Sequence, residues 1–424
     1  MRRGRGLICL VLAVFMMLLC GGCAVEGLYA LPKLSDDYIQ LEELIGERIR
    51  GGGEYAAPVG GSNRQSVQLR DLDGDGEAEA IAFLADETRT PTVCIYRRDA
   101  AGEFYLYVII RGEGSAVGSV EYADLTGDGS DEFIIAWQIS GDLQLLSVYT
   151  LLEENIRQAR TELLNADCSD FIVCDLDGDG RPELLDLCVD YSGTSTLVRY
   201  VFGESGLEGE YDARLSGGIT EVLRLRAGYL SDGVTALYAE SAWGEDGLIT
   251  DIFTAAGGLS NITITSSGRS DTLREAGAFA QDINGDRALE VPETVGPVLE
   301  WYGVDSDNRR TLAMTTYHNY SDGWYLKLTG PLLSGRLTAV KTEGIPGEEA
   351  VTFSSSGQGL LVIYKLTGEN RLDRAAADGR FLVRQSETTV YAAELLPGGE
   401  GLTAEEIISS FNLIYPEWQT GERK

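Results

Sequence analysis

Acidic side chains at alternate positions recur four times along this 424-residue chain. The first copy reads DLDGDGEAE, with Asp71, Asp73 and Asp75 two residues apart and Glu79 eight residues after Asp71. The glycines between them let the backbone coil tightly enough to turn the carboxylates inward. Such a set suits Ca²⁺, which takes six to eight oxygen ligands at about 2.3 to 2.6 Å. The segment therefore predicts a calcium loop that Glu79 closes.

All four loops offer the same pattern of oxygens, from the side chains at positions 1, 3, 5 and 9 and the backbone carbonyl at position 7. The predicted ligand residues are Asp71, Asp73, Asp75, Glu77 and Glu79; Asp124, Thr126, Asp128, Ser130 and Glu132; Asp175, Asp177, Asp179, Arg181 and Glu183; and Asp282, Asn284, Asp286, Ala288 and Glu290. Arg287 replaces a loop glycine in the fourth copy. We therefore expect up to four structural calcium ions, with the fourth site the weakest.

An EF-hand is the obvious rival, because it shares the alternating acids and a glycine at position 6. Its twelfth position requires a bidentate glutamate. This chain has Ala82, Ile135 and Asp186 at that position in the first three loops. The flanking segments also alternate as strands rather than helices, which argues against both an EF-hand and a dockerin-like loop pair.

The spacing of the loops indicates a repeat. They begin at residues 71, 124, 175 and 282, and the last interval of 107 residues is twice the others, which are 53 and 51. A missing copy is predicted near Gly228, where Leu230 and Ala236 replace ligands, and a sixth near Lys341, which we place at the first ligand position. We expect both of these units to lack metal.

An aromatic residue marks the same period without using any acid. It falls 25 residues after the loop origin in four consecutive units, at Tyr96, Tyr149, Tyr200 and Phe253. Each unit of about 50 residues reads as four antiparallel strands, which must stack on neighbours to bury both faces. An all-β propeller over residues 64–397 satisfies this demand. We expect about seven blades, the hairpin RFLVRQSETTVYAAELL beginning a seventh that the segment before Gln65 completes; six is the alternative.

The loops and their spacing resemble the calcium-loop repeats of the FG-GAP and VCBS-type families, which also occur in the propellers of integrin α subunits. The resemblance spans roughly residues 64 to 395 and rests on the four strong loops. It implies a calcium-bearing β-propeller.

The N-terminus reads as an export signal over residues 1–22. Three arginines within the first five residues precede the 14-residue apolar run Leu7 to Cys20, which is shorter than the roughly 20 residues of a membrane span. Cys23 follows Leu-Cys-Gly-Gly, which resembles the lipobox of bacterial lipoproteins and implies lipidation of Cys23. The expected location is the outer face of the bacterial cytoplasmic membrane. Ordinary cleavage after Leu28-Tyr29-Ala30 is the alternative.

Two helices are predicted outside the repeat. Residues 23–63 hold the anchor, a linker and an amphipathic helix from Asp36 to Arg50. Residues 398–424 hold a second helix and a tail. Thr403 and Glu406 form a capping box that opens this helix, which we expect to run through Phe411.

Charge and cysteine content narrow the partners and the compartment. The chain has 34 basic and 67 acidic residues, and loss of the three leader arginines leaves a net charge of −36, which argues against nucleic acid as a partner. Cys94 and Cys174 are predicted as small core residues. A Cys168 to Cys188 bridge across one hairpin stays open.

No catalytic residue is assigned from the sequence. His318 is the only histidine and no G-x-S-x-G motif accompanies it, which removes the common triads and histidine zinc sites. The aromatic segment around His318 is predicted as a hairpin with its rings divided between core and rim. The expected function is a surface binding or adhesion module for an extracellular protein or glycan. An envelope polysaccharide hydrolase or lyase is the alternative, and a structural or assembly lipoprotein is the third.

Overall fold

The computed structural model describes residues 36–141, 143–151, 160–190, 194–203, 206–275, 277–333 and 335–414. Over these ranges the chain is all-β, with six antiparallel sheets and only three short α-helices, as predicted. The predicted signal segment, the predicted lipidation site Cys23 and the C-terminal tail from residue 415 lie outside the described residues. In the described ranges, no helix combines the length and apolarity needed to traverse a bilayer.

The first three sheets follow one another along the chain. Helix α1 (Asp36–Arg50) precedes the first, which contains β1 (Glu54–Tyr55), β2 (Val67–Arg70), β3 (Glu79–Ala85), β4 (Pro91–Arg98) and β5 (Phe104–Arg111). The second contains β6 (Ala116–Ala123), β7 (Glu132–Ser140), β8 (Leu143–Leu151) and β9 (Arg160–Cys168). The third contains β10 (Asp170–Cys174), β11 (Glu183–Cys188), β12 (Thr196–Gly203) and β13 (Gly206–Arg214).

The remaining three sheets include short edge strands and one long-range return. The fourth contains β14 (Ile219–Tyr229), β15 (Thr235–Trp243), β16 (Gly247–Thr254), β17 (Ser260–Asn261) and β18 (Arg274–Glu275). The fifth contains β19 (Val291–Val295), β20 (Val298–Val304), β21 (Arg310–Asn319) and β22 (Trp324–Lys327). The sixth contains β23 (Leu337–Glu343), β24 (Glu348–Ser355), β25 (Gln358–Thr367), β26 (Arg380–Gln385) and β27 (Thr389–Leu395).

The connections outside these sheets are short helices and one last strand. A 3-10 helix spans Gly330–Leu333, α2 spans Arg371–Ala375 between β25 and β26, and α3 spans Ala404–Ser410. The predicted capping box of Thr403 and Glu406 opens α3, but Phe411 already begins β28 (Phe411–Leu413). This strand returns to pair with β22, so the C-terminus closes the fifth sheet.

Each sheet buries its faces against its neighbours in sequence, and five apolar clusters join the six sheets in order. Between the first and second sheets, Phe83 packs near Phe133 and Trp137, and all three are at most 1% exposed. Burying one such side chain contributes about 1.5 to 3 kcal/mol. The central strand β3 is buried at all seven positions because neighbours cover both its faces.

The two terminal sheets are covered by helices on their outer faces. Leu41 and Ile45 of α1 pack on Ala82 and Cys94 of the first sheet. On the sixth sheet, Ala375 of α2 lies in a cluster with the apolar residues of β25 and β27. The predicted amphipathic helix at residues 36 to 50 is thus confirmed in position, and its apolar stripe packs on the first sheet.

The four aromatic residues that mark the predicted repeat occupy equivalent strand positions. The four marker aromatics all lie in the third long strand of their sheets. Each pairs with the residue that follows position 9 of its unit, in the pairs Ala80↔Tyr96, Phe133↔Tyr149, Leu184↔Tyr200 and Leu237↔Phe253.

The hairpin that was expected to begin a seventh blade belongs to the sixth sheet. Strand β27 pairs with β25 along its whole length, and β26 pairs with β27. The N-terminal segment expected to complete that blade instead places Tyr55 opposite Leu84 in the first sheet. The expectation was wrong because the intervening α2 lets the chain return to the open edge of β25.

The four cysteines in the described ranges are free thiols, and Cys94 is buried as predicted, while Cys174 is half-buried. Cys168 ends β9 in the second sheet and Cys188 ends β11 in the third. A bridge between them would therefore join two sheets rather than span one hairpin. The Cys188 thiol instead lies 3.6 Å from Oδ2 of Asp186.

Asp186 on β11 is fully buried, and burial raises the pKa of its carboxyl to about 6. Because the folded pKa lies above the unfolded value, folding takes up a proton between about pH 4 and 6. The free energy of unfolding should therefore fall as pH rises through that window. We expect Asp186→Asn to reduce this decline, to which other buried carboxyls such as Asp170 also contribute, and to raise stability at pH 7.5 by about 2 kcal/mol.

Denaturant unfolding at pH 4.5 and 7.5, with calcium held constant, measures this effect. Asp212→Asn, on the exposed side of β13 in the same sheet, is the matched control. An Asp186→Asn protein that keeps the pH dependence of the wild type would contradict the assignment.

Candidate metal centre

All four predicted loops connect strands at the same end of their sheets. In the first, β2 ends at Arg70, β3 begins at Glu79, and these two residues pair across the hairpin. The equivalent residues pair in the other three loops as Ala123↔Glu132, Cys174↔Glu183 and Gln281↔Glu290. The sheet register therefore holds two residues that are nine apart in sequence side by side at the base of each loop.

The first aspartate organises the backbone of its loop. Oδ1 of Asp71 accepts from the amide of Gly74 and Oδ2 from that of Gly76, both at 2.9 Å. These glycines have φ of +73° and +90°, in the left-handed region that glycine adopts freely. The same bonds recur at Asp124 with Gly127 and Gly129, at Asp175 with Gly178 and Gly180, and at Asp282 with Gly285 and Arg287.

Arg287 adopts the conformation that glycine has in the other loops, with φ of +80°. A residue with a side chain in this region is disfavoured by about 1 to 2 kcal/mol. The amide of Arg287 still donates to Oδ2 of Asp282 at 3.0 Å. The fourth loop thus keeps its path at a conformational cost, which supports the expectation that it is the weakest.

The aspartate at position 5 fixes the residue at position 7, whose carbonyl is a predicted ligand. Oδ1 of this aspartate accepts the amide of position 7 at 2.7 to 2.8 Å in all four loops, at Glu77, Ser130, Arg181 and Ala288. Two of these residues also reach the preceding loop. Arg181 donates to the carbonyl of Thr126 at 2.8 Å, and the Ser130 hydroxyl donates to that of Asp73 at 3.4 Å.

The closing glutamates are buried, at no more than 6% exposure. Oε2 of each accepts the amide of position 2, at Leu72, Leu125, Leu176 and Ile283, over 2.7 to 3.1 Å. Burial raises the pKa of Glu79, Glu132 and Glu290 to about 7 and also raises that of Glu183. Oε1 is left for a partner that differs from loop to loop.

In the first and third loops an arginine binds Oε1. Nε of Arg97 lies 3.3 Å from Oε1 of Glu79, and its Nη2 also binds Asp73. In the third loop Arg199 binds Glu183 at 2.5 Å and also binds Asp177. Carboxylate oxygens of positions 1, 3 and 9 lie within 4.8 Å of one another in both loops. Sequence reasoning missed these arginines, although Arg97 directly follows the marker Tyr96.

The second and fourth loops have neutral residues at position 3. In the fourth, the amide of Asn284 donates to Oε1 of Glu290 at 3.0 Å and to Asp286 at 2.8 Å. In the second, Oε1 of Glu132 is buried without a hydrogen bond of ordinary geometry, and the Thr150 hydroxyl is the side-chain group near enough to help lower the pKa of this carboxyl. A buried acceptor without a donor is costly. A cation at this oxygen would satisfy it, and the all-oxygen donor set fits Ca²⁺.

The two units predicted to lack metal have short turns in place of loops. The turn after β14 closes with a Leu230 to Val234 pair, and the turn after β23 closes with a Gly344 to Glu348 pair. Each therefore leaves three residues between the paired ends, too few for a nine-residue loop. Lys341 was wrongly placed at a ligand position, because it lies within β23 opposite Val351. Its ammonium binds Asp322 at 2.9 Å and Glu349 at 3.0 Å.

A polar cleft of about 380 Å³ opens at the opposite ends of these strands. Its lining includes Arg64, Ser119, Gln144, Asp170 and Glu221, from the stretch before β2 and from the second to fourth sheets. Ser119 and Asp170 each lie five residues before the first aspartate of the next loop, a strand distance of about 17 Å. The loops and the cleft are therefore separate sites at opposite ends of the same strands.

The aromatic segment around His318 forms the hairpin of β21 and β22, as predicted. Trp324 is 1% exposed and lies in the core between the fifth and sixth sheets. On the other face His318 stacks on Tyr325 with ring centroids 4.9 Å apart. Burial lowers the pKa of His318 to about 4, so the ring is neutral at pH 7.

Comparison with known proteins does not identify the chain: no protein-family model matches it, and no curated protein sequence matches it.

Proposed function

We propose that this protein is an exported, lipid-anchored binding module, stabilised by calcium, that recognises an extracellular protein or glycan. The observation that carries this proposal is the polar cleft on the sheet edge opposite the metal loops. Its volume lies within the range of about 300 to 1,000 Å³ that is typical of ligand sites. The separation leaves the ions a structural role, because each would fasten one hairpin about 17 Å along the strands from the cleft.

The six sheets are proposed to be the blades of a β-propeller of the FG-GAP or VCBS-type repeat families. The sequential packing of each sheet on the next, the repeat of about 50 residues and the loops at one edge all support this architecture. Six blades are favoured over seven, because the described strands leave no hairpin for another sheet.

Calcium is proposed to contribute a large share of the stability. At millimolar external calcium, a site with an affinity of about 0.1 mM contributes roughly 1.4 kcal/mol, and four such sites about 5 to 6 kcal/mol. That sum is comparable to the net stability of a small domain.

Chelation should therefore lower the thermal midpoint sharply. We expect excess EGTA to lower it by about 7 °C, because a chain of this size has an unfolding entropy of about 0.8 kcal/mol/K. Elemental analysis of the dialysed protein should find between one and four calcium ions per chain. Readdition of Ca²⁺ should restore the midpoint, whereas an equal concentration of Mg²⁺ should restore little because Mg²⁺ demands stricter octahedral geometry. An unchanged midpoint together with less than one ion per chain would refute calcium binding.

The anchor is proposed to be a lipid on Cys23, which places the module on the outer face of the bacterial cytoplasmic membrane. Expressed from its full-length gene, the wild-type protein should fractionate with membranes, and Cys23→Ala should be lost from that fraction. Cys9→Ala is the matched control, because residue 9 lies ahead of the lipobox-like segment and is removed with the signal. Mass spectrometry showing an unmodified Cys23 at the mature N-terminus, or a mature chain that begins after Ala30, would refute the anchor.

Ligand recognition should depend on the charge of the cleft. We expect the calcium-loaded protein to bind a component of a glycan array or of extracellular extract, and Glu221→Lys to reduce that binding at least tenfold. Glu293→Lys makes the same charge change on exposed β19 of the fifth sheet and should leave binding intact. Equal loss in both variants would show that net charge, rather than the cleft, governs binding.

A hydrolase or lyase acting on envelope polysaccharide is the second candidate, and one observation favours it. Asp170 lines the cleft, and burial raises the pKa of its carboxyl to about 6, near the range of a general acid at neutral pH. Polysaccharide turnover that Asp170→Asn abolishes without lowering the thermal midpoint would establish this function. Absence of both binding and turnover would favour a structural or assembly lipoprotein.

A further inference from the structure

We infer that Arg97 and Arg199 are built-in counter-cations that offset the aspartates at position 3, so that the side-chain ligand positions 1, 3, 5 and 9 carry the same net charge in all four loops. The inference rests on the calcium binding proposed above. It concerns how the chain sets the affinity of the loops relative to one another.

The charges at the ligand positions fall into two groups. The first and third loops carry four carboxylates, because position 3 is Asp73 or Asp177. The second and fourth carry three, because position 3 is Thr126 or Asn284. An arginine binds positions 3 and 9 in the first group alone among the described loops. Counting only the side chains at positions 1, 3, 5 and 9 together with the two arginines, every loop carries −3. The other loop positions add Glu77 in the first loop, Asp131 in the second, Arg181 in the third and Arg287 in the fourth.

The two arginines bind the carboxylates of equivalent loop positions, 3 and 9, but they come from different positions along the neighbouring strand. Tyr96 pairs with Ala80, which puts Arg97 directly opposite Glu79 on the neighbouring strand. Arg199 instead pairs with Leu185, two residues further along from Glu183. An inherited repeat position would place both at one register. Because the two arginines occupy different registers, the acidic charge at position 3, rather than an inherited repeat position, accounts for the presence of an arginine.

The loops with a neutral third position have no arginine at either register. By extension of the strand pairing, Thr150 lies opposite Glu132 and Val148 lies at the diagonal position. In the fourth loop the corresponding residues are Gly303 and Trp301. The presence of arginine thus follows the presence of aspartate at position 3 in all four loops.

The arginines are fixed rather than free to sample solvent. Arg97 and Arg199 are each 8% exposed, and the guanidinium of Arg97 lies 4.5 Å from the centroid of the Tyr107 ring. A buried guanidinium is retained only with partners that compensate its desolvation. The carboxylates of positions 3 and 9 provide that compensation whether or not an ion is bound.

The charge count of the ligands tunes calcium affinity in loops of this kind. Removal of both arginines should therefore make the first and third loops bind more tightly, since each then carries −4. Removal of the two aspartates alone should weaken these loops, since each then carries −2. Removal of all four side-chain charges should return each loop to −3.

The test uses isothermal titration with Ca²⁺ on the full-length mature protein and three variants. We expect Arg97→Met/Arg199→Met to tighten two of the sites about tenfold and to lower the thermal midpoint in EGTA, while Asp73→Asn/Asp177→Asn weakens two sites about tenfold. The variant that combines all four substitutions should lie within about threefold of the wild type. Methionine retains the packing of the aliphatic arginine stem.

Two controls separate charge from geometry and from folding. Arg97→Lys/Arg199→Lys keeps the charge without the planar fork and should bind calcium within about threefold of the wild type. Arg309→Met loses the same charge from an exposed turn in the fifth sheet and should leave the isotherm unchanged.

Two results would overturn the inference while the wild type still binds calcium. Weaker binding on removal of the arginines would show that they orient the ligands, and unchanged affinity with a lower midpoint would show that they only hold the hairpins together. A wild type that binds no calcium would instead refute the proposed function, and the inference with it.

Discussion

Each candidate metal loop depends on a buried glutamate at its ninth position, which begins a strand in the first three loops and directly precedes β19 in the fourth. Its Oε2 accepts the amide of loop position 2, which ties the end of the loop to its beginning. Desolvation raises the pKa of this carboxyl, so the charged form is held in place only at a cost. The second oxygen therefore requires a partner. An arginine binds it at Glu79 and Glu183, and an asparagine donates to it at Glu290. At Glu132 it has no hydrogen bond of ordinary geometry among the described residues.

The closing glutamates require their partners at one end of the strands. The residues at the other end of the strands are not constrained by that requirement. Strand length separates the loops from the polar cleft, and strand pairing keeps that separation constant from sheet to sheet. Contacts between consecutive loops, such as Arg181 with Thr126, join the sheets at the loop edge. The apolar clusters pack between neighbouring sheets, in the region between the loop end and the cleft end of the strands.

Units without a metal loop show what replaces it. In the fourth sheet Asp232 accepts the amide and hydroxyl of Ser306, which joins the shortened turn directly to the fifth sheet. In the sixth sheet Lys341 is held between Asp322 and Glu349. In both arrangements an acidic side chain joins the unit to the fifth sheet through contacts between protein groups, by hydrogen bonds at Asp232 and by an ion pair at Asp322.

The sequence by itself determined the all-β class, the positions of the four loops and the helices that begin at Asp36 and Ala404. Local backbone rules set these features: glycine at left-handed positions, alternation along strands and the capping box of Thr403 and Glu406. The tertiary structure alone decided that β26 and β27 join the sixth sheet, that Lys341 lies inside a strand and that Cys168 and Cys188 belong to different sheets. It also decided that arginines on a neighbouring strand serve two of the loops. These outcomes depend on which strand edge is open and which residue lies across from it, and the periodicity of one segment carries no information about either.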